Sequence, residues 1–323
     1  MGIKRLNIKC RIRFRKIKQY FKEDIWIIDR NELNKKKARL IKYIRIVLIT
    51  IRDMGKQSIG IQSVAITFFT LMSFVPMVAL IFTVSDNFGL GDYLKGLIYQ
   101  NFTNQDLIDT LLSYSNNIMN SLNNGTWGII SFLLFIWLVI WMMINVERAF
   151  NLIWEVDVSR VFWKRILAYI GIIILSPFVI IIFLAMLPII SRNISELGGN
   201  IPYAYTFNRF IFWLLMDGVV SLVLTALFIL IPNAKVKFKP AFKAALMTGI
   251  AFTVIQYLYI ETQVMVTRLN GVYGTFAAIP LFMIWIRIAW LVILIGVEIS
   301  YAFQHVDDIP NVSLINNKRL LKN

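Results

Sequence analysis

Apolar residues in this chain fall into six long blocks. They run from Ile59 to Val84, Gly128 to Val146, Ile166 to Ile190, Phe210 to Ile231, Phe242 to about Val264, and Ala277 to Phe303. About 20 apolar residues, rising ~1.5 Å each, cross the hydrocarbon of a bilayer. Each block therefore predicts one crossing, some of them tilted. The pattern predicts an all-α, polytopic membrane helix bundle with six transmembrane helices. Pro76 in the first block, and Pro177 and Pro188 in the third, mark expected kinks; neighbouring helices or water can satisfy the carbonyls they free.

The stretches outside the blocks have their own patterns. In residues 1–57, Ile8, Ile12, Ile17, Phe21, Ile25 and Ile28 recur at near-helical spacing among many Lys and Arg residues. This predicts a basic amphipathic helix lying on an anionic leaflet. A second short amphipathic run, Leu40 to Ile51, leads into the first span. The 85–127 connection is too long for a simple turn. Its spaced Leu, Ile and Phe residues predict an extracytoplasmic helical loop that caps the outer face. The expected organisation is a basic cytoplasmic arm (1–57), a six-helix transmembrane domain (58–305) and a cytoplasmic tail (306–323).

Charge changes this picture only by orienting it. The formal net charge of +16 would suit a nucleic-acid binder until it is mapped. The arm carries 18 Lys/Arg against five Asp/Glu. Basic and basic-poor connections then alternate: 147–165 and 232–241 are rich, 85–127, 191–209 and 265–276 are poor, and the tail is rich again. By the positive-inside rule both termini lie in the cytoplasm. The expected partners are membrane lipids, with the arm on the anionic leaflet. Nucleic acid is not expected, because the arm has no aromatic stacking platform or recognition motif. Oligomeric state is not readable from the sequence.

Catalytic chemistry is thinly supplied. Cys10 is the only cysteine and His305 the only histidine, which removes disulfide frameworks, Cys-based metal sites and most His-base designs. Phosphate-loop, nucleophile-elbow and His-Glu-x-x-His patterns are missing. No enzyme activity, cofactor or metal is expected. The informative residues are polar groups inside the blocks. Arg287 lies ten residues into the last block, roughly 15 Å deep by helix rise, where a charge is expensive and marks a wet or protein-lined face. Glu298 follows eleven residues later, close to three full turns, so both leave one face of the helix. Asp217 in the fourth block has a depth like that of Arg287, which predicts an Asp217–Arg287 pair. Glu298 matches Arg148 in depth, which predicts a second pair. Gln256 and Glu261 in the fifth block complete the candidate substrate-binding set. Arg is suited to that role because its fork binds phosphate or carboxylate at two points. Gly271 and Gly274 predict a tight turn before the last block, and Ala289, Gly296 and Ser300 within it predict close helix approach.

Several of these stretches together resemble one family, the YihY/virulence factor BrkB membrane proteins. The first is Ser63 to Pro76, ending Ser-Phe-Val-Pro. The second is Asn145-Val-Glu-Arg-Ala-Phe-Asn-Leu-Ile-Trp154, which holds Asn145, Arg148 and Trp154, followed by Phe162-Trp-Lys-Arg165. The third is Ile231-Pro-Asn233. The last is Tyr273-Gly-Thr-Phe with Gly271, Gly274, Trp285 and Gly296-Val-Glu298. The resemblance implies an integral bacterial inner-membrane protein with six spans. Its members are linked to envelope phenotypes and discussed as transporters. A ribonuclease label once attached to the family finds no support in a chain with one histidine and scattered carboxylates. The expected function is a transporter or flippase-like permease for an anionic lipid or other amphiphile. The alternative is a non-transporting scaffold or envelope-assembly partner, in which the buried charges only lock packing.

Overall fold

A computed structural model describes residues 34–101, 126–156, 204–268 and 271–307, with scattered positions between 109 and 117 and between 163 and 185. The expected amphipathic helix of residues 8–28 lies outside them. Among the described residues all regular structure is helical. The named helices are α1 (Lys35–Lys56), α2 (Ile59–Asn87), α3 (Gly91–Asn101), α4 (Thr126–Ile153), α5 (Ala204–Leu230), α6 (Phe238–Arg268) and α7 (Gly271–His305). Five of them (α2, α4, α5, α6 and α7) are long and apolar enough to cross a membrane. In hydrocarbon every backbone polar group must be bonded internally, which leaves the helix as the one form available to such isolated apolar segments. The sixth expected span, Ile166 to Ile190, is described only in part. Those of its positions that are described are helical.

The helices outrun their apolar blocks by several residues, because hydropathy marks the part in lipid while backbone bonding continues to the cap. One expectation changes as a result. Gly271, Tyr273 and Gly274 do not form a separate turn; they are the first turn of α7. Helix α2 likewise runs through Pro76 as one element. In the loop after α2, α3 packs back with Leu94 and Leu97 against Ile81 and Phe82, so the first part of this connection is helical as expected.

Helix α7 is the axis of the bundle. It packs against α6, α2, α1, α4 and α5. The main core lies around its last third, where Leu294 and Val297 meet Ile59 and Ile66 of α2, Ala149, Phe150 and Ile153 of α4, Leu224 and Phe228 of α5, and Ala241, Ala244 and Ala245 of α6. Gly296 makes this closeness possible. A Cβ there would stand 2.1 Å from Thr248 Oγ1 and 2.8 Å from Phe228 Cζ. Gly249 does the same between α6 and α5, where a Cβ would meet Ser221 Oγ at 2.6 Å and Asp217 Oδ1 at 2.9 Å. Small residues let membrane helices approach until dispersion contacts hold them, since lipid supplies little hydrophobic drive. The hydroxyls in these helices mostly bond back to their own turn, as Thr67 does to the Ser63 carbonyl, Thr225 to Ser221 and Thr248 to Ala244.

Helix α1 docks antiparallel on the end of α7. Ile46 and Ile49 cluster with Ala302 and Val306, Tyr43 meets Phe303 edge-on with centroids 6.0 Å apart, and Lys42 pairs with Asp307 at 3.1 Å. That pair is half exposed and worth about 0–1 kcal/mol at most, so the apolar contacts hold the helix. The chain then turns into α2 at Ser58, a non-glycine residue in the left-handed region at φ 51°.

The packing at Gly296 gives a direct test. Gly296→Ala is expected to destabilise the protein by about 1–3 kcal/mol through overpacking. Gly218→Ala, where a Cβ meets nothing within 4 Å, is expected to be neutral or to gain about 0.5–1 kcal/mol from helix propensity. Thermal unfolding in detergent measures both; equal melting temperatures for the two variants would contradict the assigned α6–α7 contact.

Candidate functional site

The face of α7 that carries Arg287 and Glu298 changes character along its length. Gly296, which faces α6 and α5, lies nine residues after Arg287, or two and a half turns. Arg287 therefore projects from the opposite side of α7, away from α5 and α6. It is exposed, as are Met283, Ile284 and Ile288 beside it. One turn further on, the Trp290 indole donates to Thr70 Oγ1 of α2 at 2.9 Å. Leu294 is already fully buried, and Glu298 is 0% exposed. The two charges share a face as their spacing predicts, but α1 and α4 seal that face at Glu298 while it stays open at Arg287.

Neither expected ion pair forms among the described residues. Asp217 is buried between α5 and α6 next to Gly249, bonds with the Thr253 side chain, and leaves Oδ1 without a hydrogen-bond partner. Arg287 faces away from it, so matching depth does not bring the two together. Arg148 is exposed on α4, and its neighbour Glu147 takes the inward position. The two carboxyl oxygens of Glu298 accept no hydrogen bond. Gln256 and Glu261 are both exposed on α6. An apolar cavity of about 270 Å³ lies between α5, α6 and α7, bounded by Val220, Leu224, Phe252 and Ile293 with Val179 and Ile180. None of the candidate charges lines it.

The basic end of the bundle holds a polar network that sequence reasoning missed. Buried Glu147 accepts from the Tyr169 hydroxyl and, at 3.4 Å, from the Asn151 amide. Asn151 Oδ1 accepts from the Asn233 backbone N–H at 2.7 Å. The Asn145–Trp154 and Ile231-Pro-Asn233 blocks are thereby tied together. Asn145 itself bonds to the Trp141 carbonyl one turn back, at 2.7 Å. Gln304 of α7 holds the next connection at two points, donating to the Lys235 carbonyl at 3.1 Å and accepting from the Lys237 N–H at 2.9 Å. Helix α4 ends with the Val156 N–H on the Asn151 carbonyl and the Glu155 N–H on that of Leu152, a pattern that usually places glycine at the left-handed residue. Here Glu155 occupies it, at φ 52°, at a cost of about 1–2 kcal/mol. Its carboxylate accepts from the Tyr301 hydroxyl at 2.9 Å, and Trp154 stands edge-on to Tyr301 at 5.6 Å.

Helix α1 contributes to the same end. Buried Asp53 accepts two hydrogen bonds from Arg52, at 2.7 and 2.8 Å, and Lys56 approaches it to 3.6 Å. The bonded carboxylate holds the Arg52 guanidinium above its ordinary value. Gln57 follows one turn after Asp53 and donates to the Ile153 carbonyl at 3.4 Å. The signal for these residues was present as polar side chains at core spacing in α1, but their basic neighbours made the segment look like a surface helix.

Known proteins bear on this arrangement. The family described as Virulence factor BrkB matches residues 50–317. Over 283 residues the chain is 30% identical to the UPF0761 membrane protein of Acinetobacter baylyi, an alignment covering 83% of this chain and 64% of that protein. It is 29% identical over 259 residues to a UPF0761 membrane protein of Psychrobacter sp., covering 78% and 46% of the two. With that of Legionella pneumophila it shares 27% identity over 280 residues, 85% and 65% of the two. The chain thus spans between about half and just under two thirds of the length of these relatives. No solved structure matches it. The family match runs from Thr50 in α1 past the end of α7 and takes in the polar network and the glycine-packed core, so this chain, a multi-pass membrane protein, belongs to the BrkB family.

Proposed function

We propose that the protein is a flippase-like permease that moves an anionic lipid or other anionic amphiphile along the open face of α7. In this reading the basic end of the bundle and both termini face the cytoplasm across the plasma membrane. The observation that carries it is Arg287, an exposed cation at the middle of α7 among exposed Met283, Ile284 and Ile288. A guanidinium at mid-depth costs about 2.5–3.5 kcal/mol on insertion scales. A phosphate or carboxylate head group offsets that cost with a forked, charge-assisted pair, while its acyl chains stay in the bilayer. Lysine, a compact strongly hydrated charge, would do this less well.

A non-transporting scaffold is the second reading. The observation favouring it is the tight seal of Gly249 over Asp217 and Ser221, which suits a polar group that fixes helix packing. The two readings part at Arg287, because a scaffold has no use for an exposed cation at that depth.

In vesicles containing phosphatidylglycerol and a head-group-labelled analogue, the protein is expected to speed exchange between leaflets. Arg287→Gln should slow it roughly tenfold or more, the loss of one charged hydrogen bond of about 1.5 kcal/mol, with Arg287→Lys in between. Its melting temperature should hold, since the side chain is exposed. An unchanged exchange rate in the folded Gln variant would sink the proposal. Orientation is tested separately: a fluorescent protein fused after Asn323 should fold and emit, and alkaline phosphatase inserted between residues 102 and 125 should be active. An active phosphatase at the C-terminus would reverse the topology.

A further inference from the structure

The cavity between α5, α6 and α7 holds about 270 Å³, and its described walls are wholly apolar. Val220 and Val223 fall at the middle of the crossing segment Trp213–Leu230, Phe252 near the middle of Phe238–Thr262, and Ile293 at the middle of Pro280–His305. Val179 and Ile180, on the far wall, fall at the middle of the Ile166 to Ile190 block. The cavity therefore lies at mid-depth in the hydrocarbon, roughly 15 Å from either head-group layer. Two of its lining residues, Val179 and Val223, are 40% and 38% exposed. Exposed Leu175 lies one turn from the first, and exposed Leu222 adjoins the second. The cavity thus opens sideways onto the surface that faces lipid.

Depth and lining together select the occupant. Water needs polar partners and finds none on these walls. A loop or extended segment would bring backbone N–H and C=O groups with nothing to bond them. A helix does not fit, because the 270 Å³ equals only about two residues of a helix ~10 Å across that rises ~1.5 Å per residue. A lipid head group would meet neither a donor nor a charge. A flexible hydrocarbon chain meets every one of these conditions, and at this depth the surrounding solvent consists of such chains. A phospholipid reaches mid-depth with the end of its acyl chain while its head group stays at the surface.

We propose that the cavity binds the distal part of one phospholipid acyl chain, entering past Val179 and Val223, as a resident ligand. The bound chain joins two parts of the bundle. The third block has described contacts to the α2, α3 and α4 side. Phe178 stands edge-on to Phe88 at the end of α2, with centroids 5.1 Å apart. Ile181 and Leu184 cluster with Ile81 and Leu94, and the Tyr169 hydroxyl donates to Glu147. Toward α5, α6 and α7 the same block presents Val179 and Ile180 across the cavity. An unfilled gap forfeits dispersion contacts on both of its walls, and the acyl chain restores them. This site lies on the α5 and α6 side of α7, whereas Arg287 projects from the opposite side, so it stands or falls independently of the permease reading.

Native mass spectrometry of the full-length protein, purified and washed in a mild detergent, reads the occupancy, and thermal unfolding of the same samples reads its effect. Wild type is expected to retain one phospholipid per chain. Stripping that lipid should lower the melting temperature by roughly 2–4 °C, and adding back phosphatidylethanolamine should restore it along a saturating curve. Val223→Trp, which closes the mouth, should lose the lipid. Val220→Phe, which fills the interior, should lose it too and melt at or above stripped wild type. If Val220→Phe does not fold, Val223→Trp carries the test, because position 223 is exposed and accepts bulk. Leu222→Trp, exposed but not among the lining residues, should keep the lipid, as should Arg287→Gln. Three results overturn the proposal. One is wild type that holds no phospholipid and melts equally before and after stripping. Another is a bound species without a fatty acyl chain. The third is full retention in Val223→Trp, or a loss in Leu222→Trp equal to that in Val223→Trp.

Discussion

The close approach of α7 to α6 and α5 at Gly296 is the constraint on which the rest of the bundle depends. With Thr248 and Phe228 filling the space a Cβ would need, α7 can rotate little about its own axis. That fixes which of its side chains face inward and which face out. Gly296 goes to the contact with α5 and α6, and the face with Arg287, Leu294 and Glu298 turns to the other side. In lipid, where apolar surface drives little association, such backbone proximity is the main means of fixing an azimuth. Gly249 repeats the device one helix further, closing α6 onto Asp217 and Ser221 of α5.

Once α7 is fixed, its second face becomes a stripe with two environments. At Arg287 the stripe is open and surrounded by exposed apolar side chains. At Glu298 it is sealed by α1 and the end of α4. The sealed end is also where the conspicuous sequence blocks meet: Asn151 on Asn233, Gln57 on Ile153, Trp154 on Tyr301 and Gln304 on the Lys235–Lys237 backbone. Such a network is rigid when every member is satisfied. Glu298, Gln57 Oε1 and Trp154 Nε1 are among the members that are not.

How much of this was legible follows from what each signal encodes. Hydropathy reports depth, so the apolar blocks located α2, α4, α5, α6 and α7, and the order of motifs identified the family. Depth does not report azimuth. Asp217 and Arg287 therefore looked like partners although α7 turns Arg287 away, and Arg148 looked like the partner of Glu298 although Glu147, one residue earlier, is the inward one. The spacing of Arg287 and Glu298 did place them on one face, because both belong to one helix. What the spacing could not contain was α1. Leu40 to Ile51 read only as a short amphipathic run leading into the first span, while Ile46 and Ile49 were the part that mattered, and their partners lie about 250 residues away on α7.

The account rests on α7 presenting an open face at its middle and a sealed one near its end. Cysteine accessibility along that helix tests this most directly, and the chain is suited to it because Cys10 is its only native thiol. In a Cys10→Ser background, single cysteines at 287, 294, 297 and 298 would be reacted with a small maleimide in native membranes. The account predicts that position 287 labels while positions 294, 297 and 298 stay protected until the protein is denatured. Protection at 287, or labelling at 297 as fast as at 287, would contradict it.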